Sequence, residues 1–430
     1  MADLISQLDR DVAYAENETD RQALDRWFDG AGSKADGRQP DGDKSPGFNS
    51  LATSAMELLK PLIFNDKYGF NSEGRHTNRS VETMDFQELN NDQRREVVNS
   101  QQRFQALRDA KEAYDAHRGS LTWIESKGHE YLVRSYYDKA GLRKQSSLGT
   151  RSAETEKMKV DFEAKRAAAE NRLRNLRDTM DRQAAVNRAL GLGRVPLIGA
   201  RIMRALDGFG MLGSGIRILG TNAIYAYEAS SGVRIDPGLA TTEDIDLLFD
   251  ARGGLTFVAD DDVSESSLLK ILQRVDTSFE RAKQTFRAVN RDGYLVDLIK
   301  PMQSPPWKKA PDKIGSDPED LTAVQIEGLD WLQNSPAFEA TAIDEKGEPV
   351  RIVAPDPRVW AAHKLWLSRR ADREPLKRQR DAAQAEAVGA LVANYLTHLP
   401  FDAEQLKMLP KEVVDSAEPL FAKRDTAARA

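Results

Sequence analysis

The spacing of apolar residues predicts a helical and β-hairpin region in the first half of the chain. Residues 91–117 carry apolar side chains at the helical period, which predicts a charged amphipathic helix. The spacing then changes to that of strands, so residues 120–125 and 130–137 predict a β-hairpin, which a third short strand follows. A long basic helix is predicted over residues 152–190, with Ser152 as its cap.

Short apolar runs separated by turns predict a sheet in the middle of the chain. Residues 216–219, 242–249 and 294–299 predict strands, and the first of them leads through a small polar turn into a helix. Residues 268–290 predict a helix and then a connecting stretch. The apolar positions of that helix are Leu268, Leu269, Leu272, Val275 and Phe279.

Linker-like composition and helical periodicity outline the predicted domains. We expect a short helix within residues 1–28, a loop at 304–320, and mostly helical structure at 357–398 with a break at Glu374-Pro375. The predicted domains are an N-terminal helical region at 1–119 with a flexible loop at 29–50, a hairpin with a long basic helix at 120–194, a core at 195–320, and a mostly helical domain at 321–430.

The composition is that of a well-solvated protein without thiol chemistry. Hydrophobic residues make up 40% and charged residues 30% of the 430 residues, and the net charge of −6 excludes a bulk positive charge for binding polyanions. The absence of cysteine excludes disulfides and thiolate metal sites, and the five histidines lack metal-ligand spacing. The polar N-terminus and the lack of a run of roughly 18 apolar residues lead us to expect a cytoplasmic protein.

Three carboxylates carry the main chemical signal. Asp244 and Asp246 are two residues apart, so both point to the same side of a strand, although such a pair by itself can simply face solvent. Asp297 lies inside an apolar run, where a charge needs a partner or a metal ion. Three acids on neighbouring strands therefore predict a site for Mg²⁺ or Mn²⁺ of the kind used in two-metal phosphoryl transfer.

The turn Gly220-Thr221-Asn222 adds a predicted phosphate site. A glycine after a strand allows backbone N–H groups to approach phosphate, and the N-terminus of the next helix adds a favourable dipole. An isolated turn of this kind would be an ordinary connection between a strand and a helix. Beside the three carboxylates, it indicates a site for a nucleoside triphosphate.

Three segments resemble the nucleotidyltransferase superfamily of DNA polymerase β type. They are Gly220-Thr221-Asn222-Ala223, Thr242-x-Asp244-Ile245-Asp246-Leu247 and Gly293-Tyr294-x-Val296-Asp297-Leu298-Ile299. Their G-T-N-A and T-x-D-I-D-L patterns are similar to those of a bacterial family of predicted nucleotidyltransferases. The resemblance implies an α+β fold, in which a mixed sheet core of the nucleotidyltransferase type is flanked by helices. It places a helical and β-hairpin region before the catalytic core and a helical domain after it.

The resemblance also implies residue roles. Asp244, Asp246 and Asp297 would be the catalytic metal ligands, and Gly220, Thr221 and Asn222 would hold the phosphates. Abortive-infection and toxin nucleotidyltransferases, which this chain also resembles, place a lysine and an aspartate on helices after the third carboxylate.

Basic and polar residues of the C-terminal helices are the matching candidates. Lys364 and Lys377 would bind the triphosphate, and Asp381 would orient a basic neighbour. Spacing alone favours a surface ion pair between Lys377 and Asp381, and only the resemblance points to a role at the triphosphate. Further candidates in this region are Arg358, Arg369, Arg370 and Gln384, whereas we expect His363 to be a packed or capping residue and not a catalyst.

The expected activity is transfer of a nucleoside monophosphate from ATP or another NTP to a hydroxyl group. The expected acceptors are RNA, including tRNA, or a protein. The same resemblance implies an antitoxin or other regulatory partner. We expect no association with a membrane. One alternative is a catalytically silent protein that binds nucleic acid through the aromatic and basic residues of 120–190. Another is a small-molecule, antibiotic-type transferase.

Overall fold

The computed structural model describes most of the chain from Phe86 onward. The described residues are 86–137, 143–253, 267–305, 307, 311–315, 317–402 and 404–422. The helix predicted at 1–28 and the loop predicted at 29–50 lie outside them.

The described residues form helices together with mixed and antiparallel sheets, which confirms the α+β class. The helices are α1 (Asn91–Ala116), α2 (Ala153–Ala189), α3 (Leu197–Gly208), α4 (Ile224–Ser231), α5 (Pro237–Ala240), α6 (Leu268–Val275), α7 (Leu329–Asn334), α8 (Pro357–Ser368), α9 (Pro375–Tyr395) and α10 (Lys411–Ala417). The strands are β1 (Gln87–Glu88), β2 (Ser120–Ser126), β3 (His129–Tyr137), β4 (Arg143–Thr150), β5 (Ile216–Leu219), β6 (Val233–Arg234), β7 (Asp244–Phe249), β8 (Glu280–Arg281), β9 (Arg287–Val289), β10 (Leu295–Pro301), β11 (Val324–Ile326), β12 (Ala337–Ile343) and β13 (Pro349–Pro355).

A mixed six-stranded sheet forms the centre of the fold. Its order is β5-β7-β10-β9-β8, with β11 also paired to β10. Strands β7 and β10 are parallel, whereas β5 and β9 run antiparallel to their neighbours β7 and β10. Ile245, Leu247, Val296 and Leu298 are fully buried on alternate positions of the two central strands, so the sheet is anchored by its apolar positions.

Helices α1 and α2 pack against each other and connect to the three-stranded antiparallel sheet β2-β3-β4. Buried polar contacts join the two helices: the Ser100 hydroxyl donates to Asn187 Oδ1 at 3.0 Å, and Gln183 donates to Glu96 at 3.1 Å. The predicted hairpin, third strand and long helix are confirmed. Ser152 is the N-cap of α2, and its hydroxyl accepts from the Thr155 N–H.

The helix predicted from Leu268 is shorter than its apolar pattern suggested. It ends at Val275 because the Asp276 side chain accepts hydrogen bonds from the N–H and hydroxyl of Ser278, which turns the chain. Phe279 is buried beyond the helix. The predicted connecting stretch also contains the two short strands β8 and β9.

The C-terminal part contains the predicted helices and a hairpin that the pattern analysis did not identify. Pro375 occupies the first turn of α9, which accounts for the predicted break after α8. Strands β12 and β13 pair antiparallel beside α4 and β5. The domain boundaries given above stay predictions. Among the described residues, no helix combines the length and apolarity needed to cross a membrane.

Candidate active site

One row of residues crosses the central sheet and brings the predicted acids together. In the strand register, Leu219 of β5 pairs with Asp246 of β7, Asp246 pairs with Asp297 of β10, and Asp297 pairs with Arg287 of β9. Directly paired residues point to the same face, and their Cβ atoms lie roughly 5 Å apart. Asp244 lies on this face as well, because it is two residues before Asp246.

The backbone of Gly220 lies directly against the Asp246 carboxylate. Gly220 has φ of +59°. A Cβ atom at this position would lie 2.1 Å from Asp246 Oδ2, well inside contact distance. The site therefore requires glycine for two independent reasons, its left-handed backbone and its lack of a side chain.

Asp246 is half-buried and lies close to two other negative charges. Removal from water, together with Asp244 and Asp297, raises the pKa of Asp246 to about 7, against a smaller opposing effect of Lys364 and Arg373. Among the described residues, no group donates a hydrogen bond to its carboxylate. A cation at this position would relieve the repulsion.

Polar contacts hold Asp244 to the turn Gly220-Thr221-Asn222. The Asn222 side-chain amide donates to the backbone carbonyl of Asp244 at 2.7 Å, and the Thr242 hydroxyl donates to the Asp244 carboxylate. Thr221 accepts a hydrogen bond from Gln384 Nε2 at 3.2 Å, and Gln384 also donates to the Leu239 carbonyl. The turn is thereby fixed to β7 on one side and to α9 on the other.

Two cations share one buried carboxylate on the other side of the turn. Lys364 Nζ donates to Asp381 Oδ1 at 2.7 Å, and Arg373 Nε donates to Asp381 Oδ2 at 2.9 Å. The pair of cations exceeds the single anion by one positive charge. Trp360 links this cluster to the turn, because its indole N–H donates to the Gly220 carbonyl at 3.2 Å and Lys364 lies 5.3 Å from its ring centroid.

Asp297 is paired with a residue that the sequence did not single out. Arg287 Nε and Nη2 donate to the two oxygens of Asp297, each at 2.7 Å. The Asp297 side chain is 13% exposed and that of Arg287 is 30% exposed. The partner that the sequence required for a charge in this apolar run is therefore an arginine on the neighbouring strand.

The contacts of three other candidates do not include the three acids. Lys377 is 61% exposed and pairs with Glu374 at 3.3 Å. Arg358 forms a buried pair with Asp356 at the start of α8. His363 packs between Trp331 and Trp366, and burial lowers its pKa to about 3, so it is neutral.

The donor set fits a hard divalent ion at Asp244 and Asp246. Their oxygens are the ligands that Mg²⁺ prefers, and burial together with the neighbouring carboxylates raises the pKa of Asp246. In the part of the chain that the structure describes, no group of three or more acidic or imidazole side chains is arranged to hold a metal ion. Both oxygens of Asp297 accept hydrogen bonds from Arg287 in this arrangement.

Arg287 and Arg373 were missed for different reasons. Arg287 lies in the segment predicted as a connecting stretch, and its role depends on the register of β9 with β10. Arg373 lies between α8 and α9, within the charged run Arg369-Arg370-Ala371-Asp372-Arg373-Glu374. That charge run was the only available signal, and it does not indicate which arginine turns inward.

Comparison with known proteins gives one match. Residues 198–410 match the family model described as "Nucleotidyltransferase". The match includes the polar turn, all three acids and the Lys364–Asp381 cluster, and it supports placing this part of the chain in the nucleotidyltransferase superfamily, with transferase activity of that general class. Searches of curated proteins and of solved structures found no match.

Proposed function

We propose that this protein is a Mg²⁺-dependent nucleotidyltransferase that transfers a nucleoside monophosphate from an NTP to a hydroxyl group and releases pyrophosphate. The observation that carries the proposal is the row Leu219–Asp246–Asp297 with Gly220 against the Asp246 carboxylate. Two of the predicted acids and the glycine turn thus lie together on three adjacent strands, which supports the proposal.

In this proposal the chain's own residues bind and orient the reactants. The N–H groups of the Gly220-Thr221-Asn222 turn approach the phosphates, and Lys364 and Arg373 supply positive charge toward the departing pyrophosphate. Lys377, which lies at the exposed start of α9, would contact the triphosphate from solvent. Asp381 fixes the positions of Lys364 and Arg373.

Asp244 and Asp246 would hold the divalent ion, and Asp297 would complete the set. The ion would neutralise the triphosphate and favour the ionised form of the acceptor hydroxyl. Asp297 would draw the acceptor proton. The acceptor oxygen bonds to the α-phosphorus, the bond between that phosphorus and the α–β bridging oxygen breaks, and pyrophosphate leaves with the bonding electrons.

The acceptor is the finer part of the proposal. The resemblance to abortive-infection and toxin nucleotidyltransferases favours RNA, including tRNA, or a protein, and it extends the proposal to a partner protein that restrains the activity. The separate β2–β4 sheet with helix α2 is a surface on which a large acceptor can be held.

The test is to incubate the protein with each α-labelled NTP, Mg²⁺, and total RNA, total protein or a small-molecule extract. We expect label on RNA or on protein that disappears with EDTA and in Asp246→Asn. Label on a small molecule alone would overturn the acceptor assignment. Transfer by Asp246→Asn at the wild-type rate would overturn the site itself.

A further inference from the structure

The Arg287–Asp297 pair uses the oxygens that a metal ion would need. The guanidinium forms a fork against the carboxylate, with both N···O distances at 2.7 Å. Such bidentate pairs are the strongest geometry available to arginine and a carboxylate. Because Asp297 is mostly buried, little water competes with this contact.

Arg287 is placed to interact with the whole acid cluster. Hydrogen bonding to Asp297 is the main cause of its raised pKa, and the charges of Asp244 and Asp246 add to it. In the arrangement seen here, Arg287 is thus the cation that balances these acids from the β9 side. A divalent ion would compete for the same lone pairs and would be repelled by the guanidinium.

We propose that Arg287 is a positioning residue that competes with the divalent ion for Asp297, so that the third ligand is released only when the guanidinium moves. This inference rests on the nucleotidyl-transfer function proposed above. The side chain is partly exposed, and a triphosphate offers it an alternative bidentate partner. Nucleotide binding and completion of the metal site would then be coupled through one arginine.

The test measures Mn²⁺ affinity without nucleotide, from the electron paramagnetic resonance signal of the free ion. We expect Arg287→Gln to bind Mn²⁺ roughly tenfold more tightly than wild type, because it frees the Asp297 oxygens and removes a nearby positive charge. Asp246→Asn should abolish most of the binding in either background.

A double-mutant cycle separates competition for Asp297 from a general charge effect. If Arg287 acts through Asp297, adding Arg287→Gln to Asp297→Asn should change Mn²⁺ affinity by less than about threefold. The charge-matched control is Arg373→Gln, which removes a cation bonded to Asp381 instead. It should tighten Mn²⁺ binding less than Arg287→Gln does.

A second variant covers the case in which Arg287→Gln does not fold. Arg287→Lys keeps the charge but cannot form the fork, and we expect its Mn²⁺ affinity to rise by about threefold. Equal affinity of wild type and the folded Arg287 variant would overturn the inference, as would a gain that persists in Asp297→Asn. If the inference fails in one of these ways while wild type still binds Mn²⁺ through Asp246, the proposed function stands. If neither wild type nor the Arg287 variant binds Mn²⁺, both the inference and the proposed function are overturned.

Discussion

The substitution Gly220→Ala directly perturbs the contact between the backbone of Gly220 and the Asp246 carboxylate. The new Cβ would lie 2.1 Å from Asp246 Oδ2 and 3.1 Å from its Cγ, so the carboxylate must move. The left-handed backbone, with φ of +59°, adds about 1–2 kcal/mol of strain for an L-residue. A displacement of about 1 Å in a catalytic group can lower the rate by about 10²-fold.

Gly232→Ala is the matched control for this substitution. Gly232 has φ of +70° at the end of α4, and a Cβ there would meet no atom within 4 Å. Both variants therefore carry the backbone strain, whereas only Gly220→Ala displaces Asp246. We expect both to lose about 1–2 kcal/mol in urea denaturation, and only Gly220→Ala to lose transfer activity and Mn²⁺ binding. Equal activity of the two variants would refute the reasoning.

Three further predictions test the rest of the site. In steady-state kinetics, Lys364→Met should lower kcat/KM for the NTP by roughly 10- to 100-fold, because the substitution removes a charge-assisted contact. Lys377→Met should change kcat/KM much less, since Lys377 is exposed. The pKa of Asp246, raised from 3.8 to about 7, should make folding stability fall as pH rises from about 4 through 7. Thermal unfolding in EDTA should show this loss in wild type and not in Asp246→Asn, and Mg²⁺ should restore stability above pH 7. Trp360→Phe should cost about 1 kcal/mol in urea denaturation, since it removes the hydrogen bond to Gly220; an unchanged value would contradict that contact.

The sequence predicted those features that have a local signal. Ser152 as a cap, the break at Pro375 and the strands around Asp246 and Asp297 follow from neighbouring residues, and the structure confirms them. The α+β class was likewise correct. Local patterns are sufficient here because caps, prolines and alternating apolar residues act within a few positions.

Features that depend on long-range pairing were not predicted. The role of Arg287 depends on the register between β9 and β10. The end of α6 at Val275 has a local cause instead, the Asp276 side chain, which the spacing of apolar residues does not reveal. Lys364 reaches Asp381 because α8 and α9 pack side by side, and Arg373 reaches it from the connection between these helices. A one-residue shift of register would point Arg287 to the opposite face, and the sequence pattern does not determine that register.

The central claim is that Asp244 and Asp246 hold a divalent ion beside the Gly220 turn. Its most direct test is a crystal of the protein with Mn²⁺ and a non-hydrolysable NTP analogue, in which anomalous scattering locates the ion. We predict a peak at about 2.0–2.3 Å from carboxylate oxygens of Asp244 and Asp246, with the triphosphate against the turn. A nucleotide bound elsewhere, or Mn²⁺ bound without contact to either acid, would contradict the account.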